Sequence, residues 1–214
     1  MTIDTVKVMT SKSRKSGEGK RNTRELILEV AEREIAVNGV EGFRLKDVAE
    51  QVGIQLPSLY AHFAGRKELL EALTNEFLGT LYALYKELSA LPPREALLAS
   101  ADRTIDLYLS KRGYARLLLY DFPAPNKNSL MVNSEDKIIE ILNLIEETIQ
   151  RGVAQNTVRD ISAELFLSFR LGLTLFPLFM RLDRNGGDMV TDQEIIHSIK
   201  RESNFLLAHF ISVR

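Results

Sequence analysis

Residues 49–63, AEQVGIQLPSLYAHF, decide the fold. Ala49, three residues and then Gly53 suit a short helix that packs closely on a neighbour and must turn sharply at its end. Gly53 is the turn. The chain restarts at Gln55, and Pro57 falls in the first turn of a new helix, where a fixed φ and a missing amide donor are tolerated. Leu59, Tyr60 and Phe63 then anchor one side of that helix, leaving Gln55, Ser58, Ala61 and His62 available. A short helix, a glycine turn and a second helix with a polar leading edge is a helix-turn-helix pattern, in which the start of the second helix enters the major groove of DNA.

Immediately upstream, Phe43, Leu45, Val48 and Val52 give the apolar side of the short helix that ends at Gly53. Before it, Ile27, Val30, Ala31 and Ile35 form one stripe from Asn22 onward, with Asn38-Gly39 as the expected stop. Three helices within residues 22–63 make a compact module.

At these residues a resemblance becomes specific: GFRLKDVAEQVGIQLPSLYAHFAGRKELLEAL is similar to the DNA-binding domain of the TetR family of transcriptional regulators. It rests on Phe43, the run Asp47-Val48-Ala49, Gly53-Ile54, the ending Leu59-Tyr60-x-His62-Phe63, and Lys67-Glu68-Leu69-Leu70 opening the next helix. The likeness is carried by residues 22–75; beyond them it rests on helix order and length. It implies that Tyr60, His62 and Lys67 contact backbone phosphates, with the helix start at Lys67 adding its own partial positive charge. Arg44 and Gln55 stand where the family usually has Ser or Thr, at helix N-caps for which neither side chain is favoured. Either the caps have drifted, or Arg44 reaches a phosphate and Gln55 an adenine edge. Leu56 replaces a frequent Lys or Arg and suits a thymine methyl. With Lys46, Pro57 and Ser58, these complete the expected DNA-facing set.

Charge fits such a module modestly. The net charge is −1, yet residues 1–67 carry 12 Lys or Arg against 9 Asp or Glu while the remainder carries 16 against 20. The basic excess is therefore N-terminal. Residues 1–19 are polar and basic and are expected to form a flexible arm, solvated or touching DNA. Residues 20–66 are the expected helix-turn-helix domain and residues 67–214 a helical ligand-binding and dimerisation domain. No cysteine is present, which excludes disulfides, thiolate metal sites and cysteine nucleophiles. No signal-peptide pattern opens the chain, and a cytoplasmic protein is expected.

Downstream, Leu69, Leu73, Phe77, Leu81, Leu84 and Leu88 mark one long helix over residues 66–90. Pro92-Pro93 ends it and starts another, carrying Leu97, Ala101, Ile105, Tyr108 and Leu109 to an expected break at Gly113. A short segment, residues 114–120, leads to the loop DFPAPNKNS. Residues 134–152 are amphipathic, with Arg151-Gly152 as a stop. Residues 160–183 contain LFLSFRLGLTLFPLFM, apolar nearly all round; Arg170 and Pro177 within a short run favour burial over a membrane span. The last helix spans residues 191–213.

The resemblance implies that the last two long helices pair with their copies in a homodimer, with Phe169, Leu173, Phe176, Ile199, Leu206 and Phe210 as interface candidates. It also implies a small-molecule effector site in the bundle, for which Leu81, Asp106, Tyr108, Phe122, Leu142, Phe166 and Arg170 are candidates. An arginine in an apolar helix needs a partner: a ligand anion, Asp102 or Asp106, or the dimer mate. No P-loop, HExxH pair, GxSxG elbow or glycine fingerprint occurs, and Glu146-Glu147 reads as helix surface. Glu194, His197 and Arg201 on one face read as solvated charge, so no metal, cofactor or enzymatic activity is expected. The expected protein is all-α: a three-helix DNA-binding module followed by a bundle, acting as a ligand-responsive regulator, a repressor, on a palindromic double-stranded operator. The alternative is a helical small-molecule-binding or interaction protein with a degenerate helix-turn-helix.

Overall fold

A computed structural model describes residues 22–121, 134–182 and 193–213, and these are helical with no strand among them. The expected arm at residues 1–19, Phe122 and most of the Pro- and Asn-rich loop lie outside the described residues.

Helix α1 (Thr23–Gly42) starts where Asn22 accepts the amide of Arg24 at 3.1 Å, a side-chain cap on an orphan donor. At Gly39, the expected stop, the backbone leaves the helical region with ψ at 170°. A left-handed φ of 71° kinks the helix there, and one more turn carries Val40 into the core before Phe43 caps it. Helices α2 (Leu45–Val52) and α3 (Leu56–Tyr60) follow at the expected places.

Helix α4 (Arg66–Leu88) is the spine. Leu69, Leu73, Phe77, Leu81 and Leu88 are buried along it and Leu84 packs at the margin, each buried side chain contributing roughly 1.5–3 kcal/mol of transfer free energy. Helix α5 (Pro93–Ser110) buries Leu97, Ala101, Ile105 and Tyr108. Its end is Lys111, with φ −132° and ψ 71°, not Gly113. Gly113 lies inside the first turn of α6 (Arg112–Asp121), so the segment expected as a connector is a helix. Glycine stands there for space: a Cβ would lie 2.2 Å from the backbone oxygen of Glu32.

Helix α7 (Glu135–Ala154) runs past the expected stop, because Gly152 is used for a close approach of Val158 and Pro93 rather than as a terminator. At the start of helix α8 (Ala163–Leu182), Ser162 Oγ accepts the amide of Leu165 at 3.3 Å and Glu146 Oε2 accepts that of Ala163 at 3.0 Å. Glu146 is therefore a capping residue, not plain helix surface. Helix α9 (Gln193–Phe210) completes the described chain. One continuous apolar core extends from Ile27 in α1 to Ile211, and α1 packs more extensively on α6 than on α2. No helix among the described residues is long and apolar enough to cross a membrane.

Candidate nucleic-acid interface

The turn between α2 and α3 follows from one residue. Gly53 adopts φ 77° and ψ 30°, a left-handed conformation that costs glycine little, and its amide donates to Glu50 at 3.1 Å while Ile54 donates to Ala49 at 3.0 Å. Two of the four carbonyls left over at the end of α2 are thereby closed. Helix α3 restarts on the carbonyl of Gln55, which accepts the amides of Ser58 at 2.8 Å and Leu59 at 3.2 Å. Neither Arg44 nor Gln55 makes a side-chain cap bond, so both side chains are left to face outward.

Leu59 and Phe63 are buried and fix the rotation of α3. Gln55, Pro57 and Ser58 consequently emerge on the exposed side, and Tyr60 joins them at 49% exposed instead of anchoring the buried side, because it directly follows Leu59 and points about a quarter-turn away; Arg44 and Lys46 are exposed at the neighbouring α2. Leu56 and His62 are half-buried; Leu56 packs partly against the core, which limits how much of it any partner could touch. Lys67 is exposed at the start of α4 and lies 3.7 Å from Glu71, a surface pair worth about 0–1 kcal/mol that a stronger anion would displace.

The supporting side chains were not singled out in the sequence. Arg66 donates to the carbonyl of Val40 and sits over the Phe43 ring at 5.9 Å, tying α4 to the end of α1. Arg24 lies over the Phe63 ring at 4.7 Å. Glu34 accepts from Asn38 at 2.8 Å and from Gln51, bridging α1 to α2. Glu68 reaches back to the amide of Ala64 at 2.6 Å, closing the start of α4. The only trace of these in sequence is an Arg or Glu one turn from an apolar anchor.

In the bundle, the candidates separate. Arg170 is 1% exposed and lies over the Tyr85 ring at 5.7 Å, with Tyr108 buried beside it. Its Nε and Nη1 find no hydrogen-bond partner among the described residues, and neither do the hydroxyls of Tyr85 and Tyr108. The expected carboxylate partners are engaged elsewhere: Asp106 is exposed and paired with Lys200, and Asp102 accepts from Asn204 at 2.9 Å. Asp106 is thus a surface ion-pair residue and not part of an internal cluster. Phe166 and Leu81 are buried in the core and Leu142 packs at its edge. Tyr85 was missed because a tyrosine at helical spacing reads as ordinary core.

Of the interface candidates, Phe176 is 59% exposed and Leu206 is exposed, whereas Ile199 is buried inside the protomer and unavailable to a second copy. Phe169 and Phe210 stack on each other at 4.0 Å and Leu173 is half-buried. Phe205, 73% exposed, joins Leu165 and Met180 as apolar surface on α8 and α9 that was not expected. Among the described residues no group of His, Cys, Asp or Glu is placed to hold a metal ion.

Residues 27–73 match the sequence model of bacterial regulatory proteins, tetR family. The HTH-type transcriptional repressor KstR2 of Rhodococcus jostii (strain RHA1) is 26% identical over 183 residues, covering 81% of this chain and 86% of the relative. Among solved structures, the ketosteroid transcriptional regulator KstR2 of Mycobacterium tuberculosis superposes with a TM-score of 0.68 at 20% identity, covering 92% of this chain and 98% of that one. FadR from Bacillus subtilis in complex with stearoyl-CoA gives 0.67 at 15% identity, covering 87% and 98%. At those identities the structural likeness establishes the shared fold.

Proposed function

The chain belongs to the TetR family of bacterial regulatory proteins, and on that premise we propose that it is a ligand-responsive transcriptional repressor that binds a palindromic operator as a homodimer in the cytoplasm. The observation that carries this reading is α3: Leu59 and Phe63 are buried while Gln55 and Ser58 at its start and Tyr60 at its end are exposed. Gln55 reads a base edge, Leu56 a thymine methyl, and Arg44, Lys46, Pro57, Ser58, Tyr60, His62 and Lys67 contact or frame the phosphates. Residues 20–66 act as the DNA-binding domain and residues 67–214 as the effector and dimerisation domain.

Two copies join through Leu165, Phe176, Met180, Phe205 and Leu206, an apolar surface that a lone protomer leaves in water. A two-fold axis then presents two α3 helices to successive major grooves, roughly 34 Å apart. The effector enters the bundle around Arg170. Helix α4 joins the two ends physically, with Lys67 at its start and Tyr85 near its end, about 27 Å apart at 1.5 Å per residue. An effector that favours one setting of α4 therefore shifts the population of DNA-competent dimers.

Selection from random duplex DNA with the ligand-free dimer tests the reading. Enrichment of an inverted repeat, with affinity that falls steeply with salt, is the expected result. A folded dimer that enriches nothing would transfer the function to the bundle alone, a small-molecule-binding protein with a degenerate helix-turn-helix.

A further inference from the structure

We propose that Arg170, Tyr85 and Tyr108 form a cradle for a single carboxylate, so that the effector is an apolar organic acid whose carboxylate closes the hydrogen bonds these residues leave open. The proposal rests on the bundle being the effector domain, and it names the chemistry of that site.

The three residues come from α8, α4 and α5 and are all buried. Arg170 places a guanidinium cation in the core, 1% exposed. Contact with the Tyr85 ring at 5.7 Å offsets part of the desolvation cost, but a cation over a ring does not satisfy Nε and Nη1. The two α5 carboxylates expected as its partners bond elsewhere, Asp106 to Lys200 and Asp102 to the Asn204 amide. Burial raises both phenols above their ordinary range, Tyr108 to about 12, against the lowering pull of the nearby Arg170 charge and, at Tyr85, of the neighbouring Ser100, so each hydroxyl keeps a proton that it can donate.

The donors define the ligand. Two guanidinium N–H groups in a planar fork match the two oxygens of a carboxylate, and two phenols match its remaining lone pairs. One fixed positive charge balances a monoanion. A phosphate dianion would bring a second buried charge that no other described cation at this cluster offsets. Phe77, which packs on Tyr108 at a ring distance of 6.2 Å, and the buried Phe166 make the surroundings apolar, so the rest of the ligand is hydrocarbon.

Octanoate, decanoate and 4-phenylbutyrate would each be titrated into the full-length protein beside the matching primary alcohol, with melting temperature and calorimetric affinity as readouts. At least one acid is expected to bind and to raise the melting temperature while its alcohol does not. Arg170→Met should abolish that preference, and Tyr108→Phe, which removes only a hydroxyl, should weaken the acid roughly tenfold or more. Arg170→Met should also raise the melting temperature of the ligand-free protein, because it removes an unneutralised buried charge.

Equal response to acids and alcohols, no acid-specific response, or a ligand-free Arg170→Met that melts lower than the parent would each overturn the cradle, the last by exposing a structural ion pair. Failure here with an operator in hand leaves the regulator reading standing. Acid binding without any enriched operator has the opposite meaning: the cradle holds and DNA recognition does not.

Discussion

The amide of Gly113 donates to Glu32 Oε1 at 2.7 Å, and the α-carbon of Gly113 comes so close to α1 that a Cβ would lie 2.2 Å from the Glu32 carbonyl oxygen. Through this contact the first turn of α6 is seated on the middle of α1, the helix that also buries its apolar side against the DNA-facing module. Gly113→Ala must push α6 away from α1. A loss of about 1–3 kcal/mol is expected from overpacking, read as a lower urea midpoint, together with altered operator affinity although residue 113 is remote from α3. Unchanged stability would mean that α6 shifts freely.

Glu32 is 6% exposed, and burial raises its carboxyl above the ordinary value of 4.5, opposed by the Gly113 amide and then by Lys111 and Arg33. An acid whose folded-state value is raised binds its proton more tightly when folded, so its contribution to stability declines as pH climbs from 4.5 through the raised value. Glu32→Gln stays neutral and can still accept from Gly113. Its stability relative to the parent should therefore improve as pH rises from 4 to 7 in paired urea titrations, with the smallest advantage at the acid end.

Tyr60 at the end of α3 and Lys67 at the start of α4 are exposed, and Gln55 occupies the cap position at the start of α3. Lys67→Ala is expected to weaken operator binding about equally across sequences and to reduce the salt slope by about 1. Gln55→Ala should instead relax preference at one base pair, at a cost of roughly 1–3 kcal/mol for the cognate base. Competition binding at several salt concentrations separates the two; identical behaviour of both variants would remove Gln55 from base readout.

Arg66 bonds the Val40 carbonyl and covers Phe43, two contacts that lysine cannot reproduce together. Arg66→Lys should lower stability by about 1–2 kcal/mol and loosen the module, detectable as faster amide exchange at Val40 to Phe43. Protection equal to the parent would show the contact to be dispensable.

Phe176 and Phe205 expose large apolar surface on α8 and α9. Phe205→Asp should weaken the dimer by roughly 3–6 kcal/mol, since symmetry removes the side chain from both copies and buries a charge twice. Sedimentation should then show monomer at concentrations where the parent is dimeric, and operator binding should fall with it.

Much of the fold was legible in order. Gly53 demands a left-handed backbone and Pro57 tolerates only a first turn, so α2, its turn and α3 are fixed by local stereochemistry at those residues. The stripe from Leu69 to Leu88 specified α4 by period alone. Gly113 misled because a glycine needed for space is indistinguishable in sequence from one needed as a break. Ile199 misled because an apolar residue on a two-sided helix does not say which side it serves.

The sequence by itself thus determined the helical class, the helix-turn-helix and the family likeness, all of which depend on spacings of a few residues along one element. Only the tertiary structure decided that Asp106 answers Lys200 at the surface, that Glu146 accepts the amide of Ala163 at the start of α8, and that Arg170 is left among Tyr85 and Tyr108 without a counter-charge in the described core. Those facts depend on which helices meet and at what rotation. That is set by the packing of the whole core, and no local period encodes it.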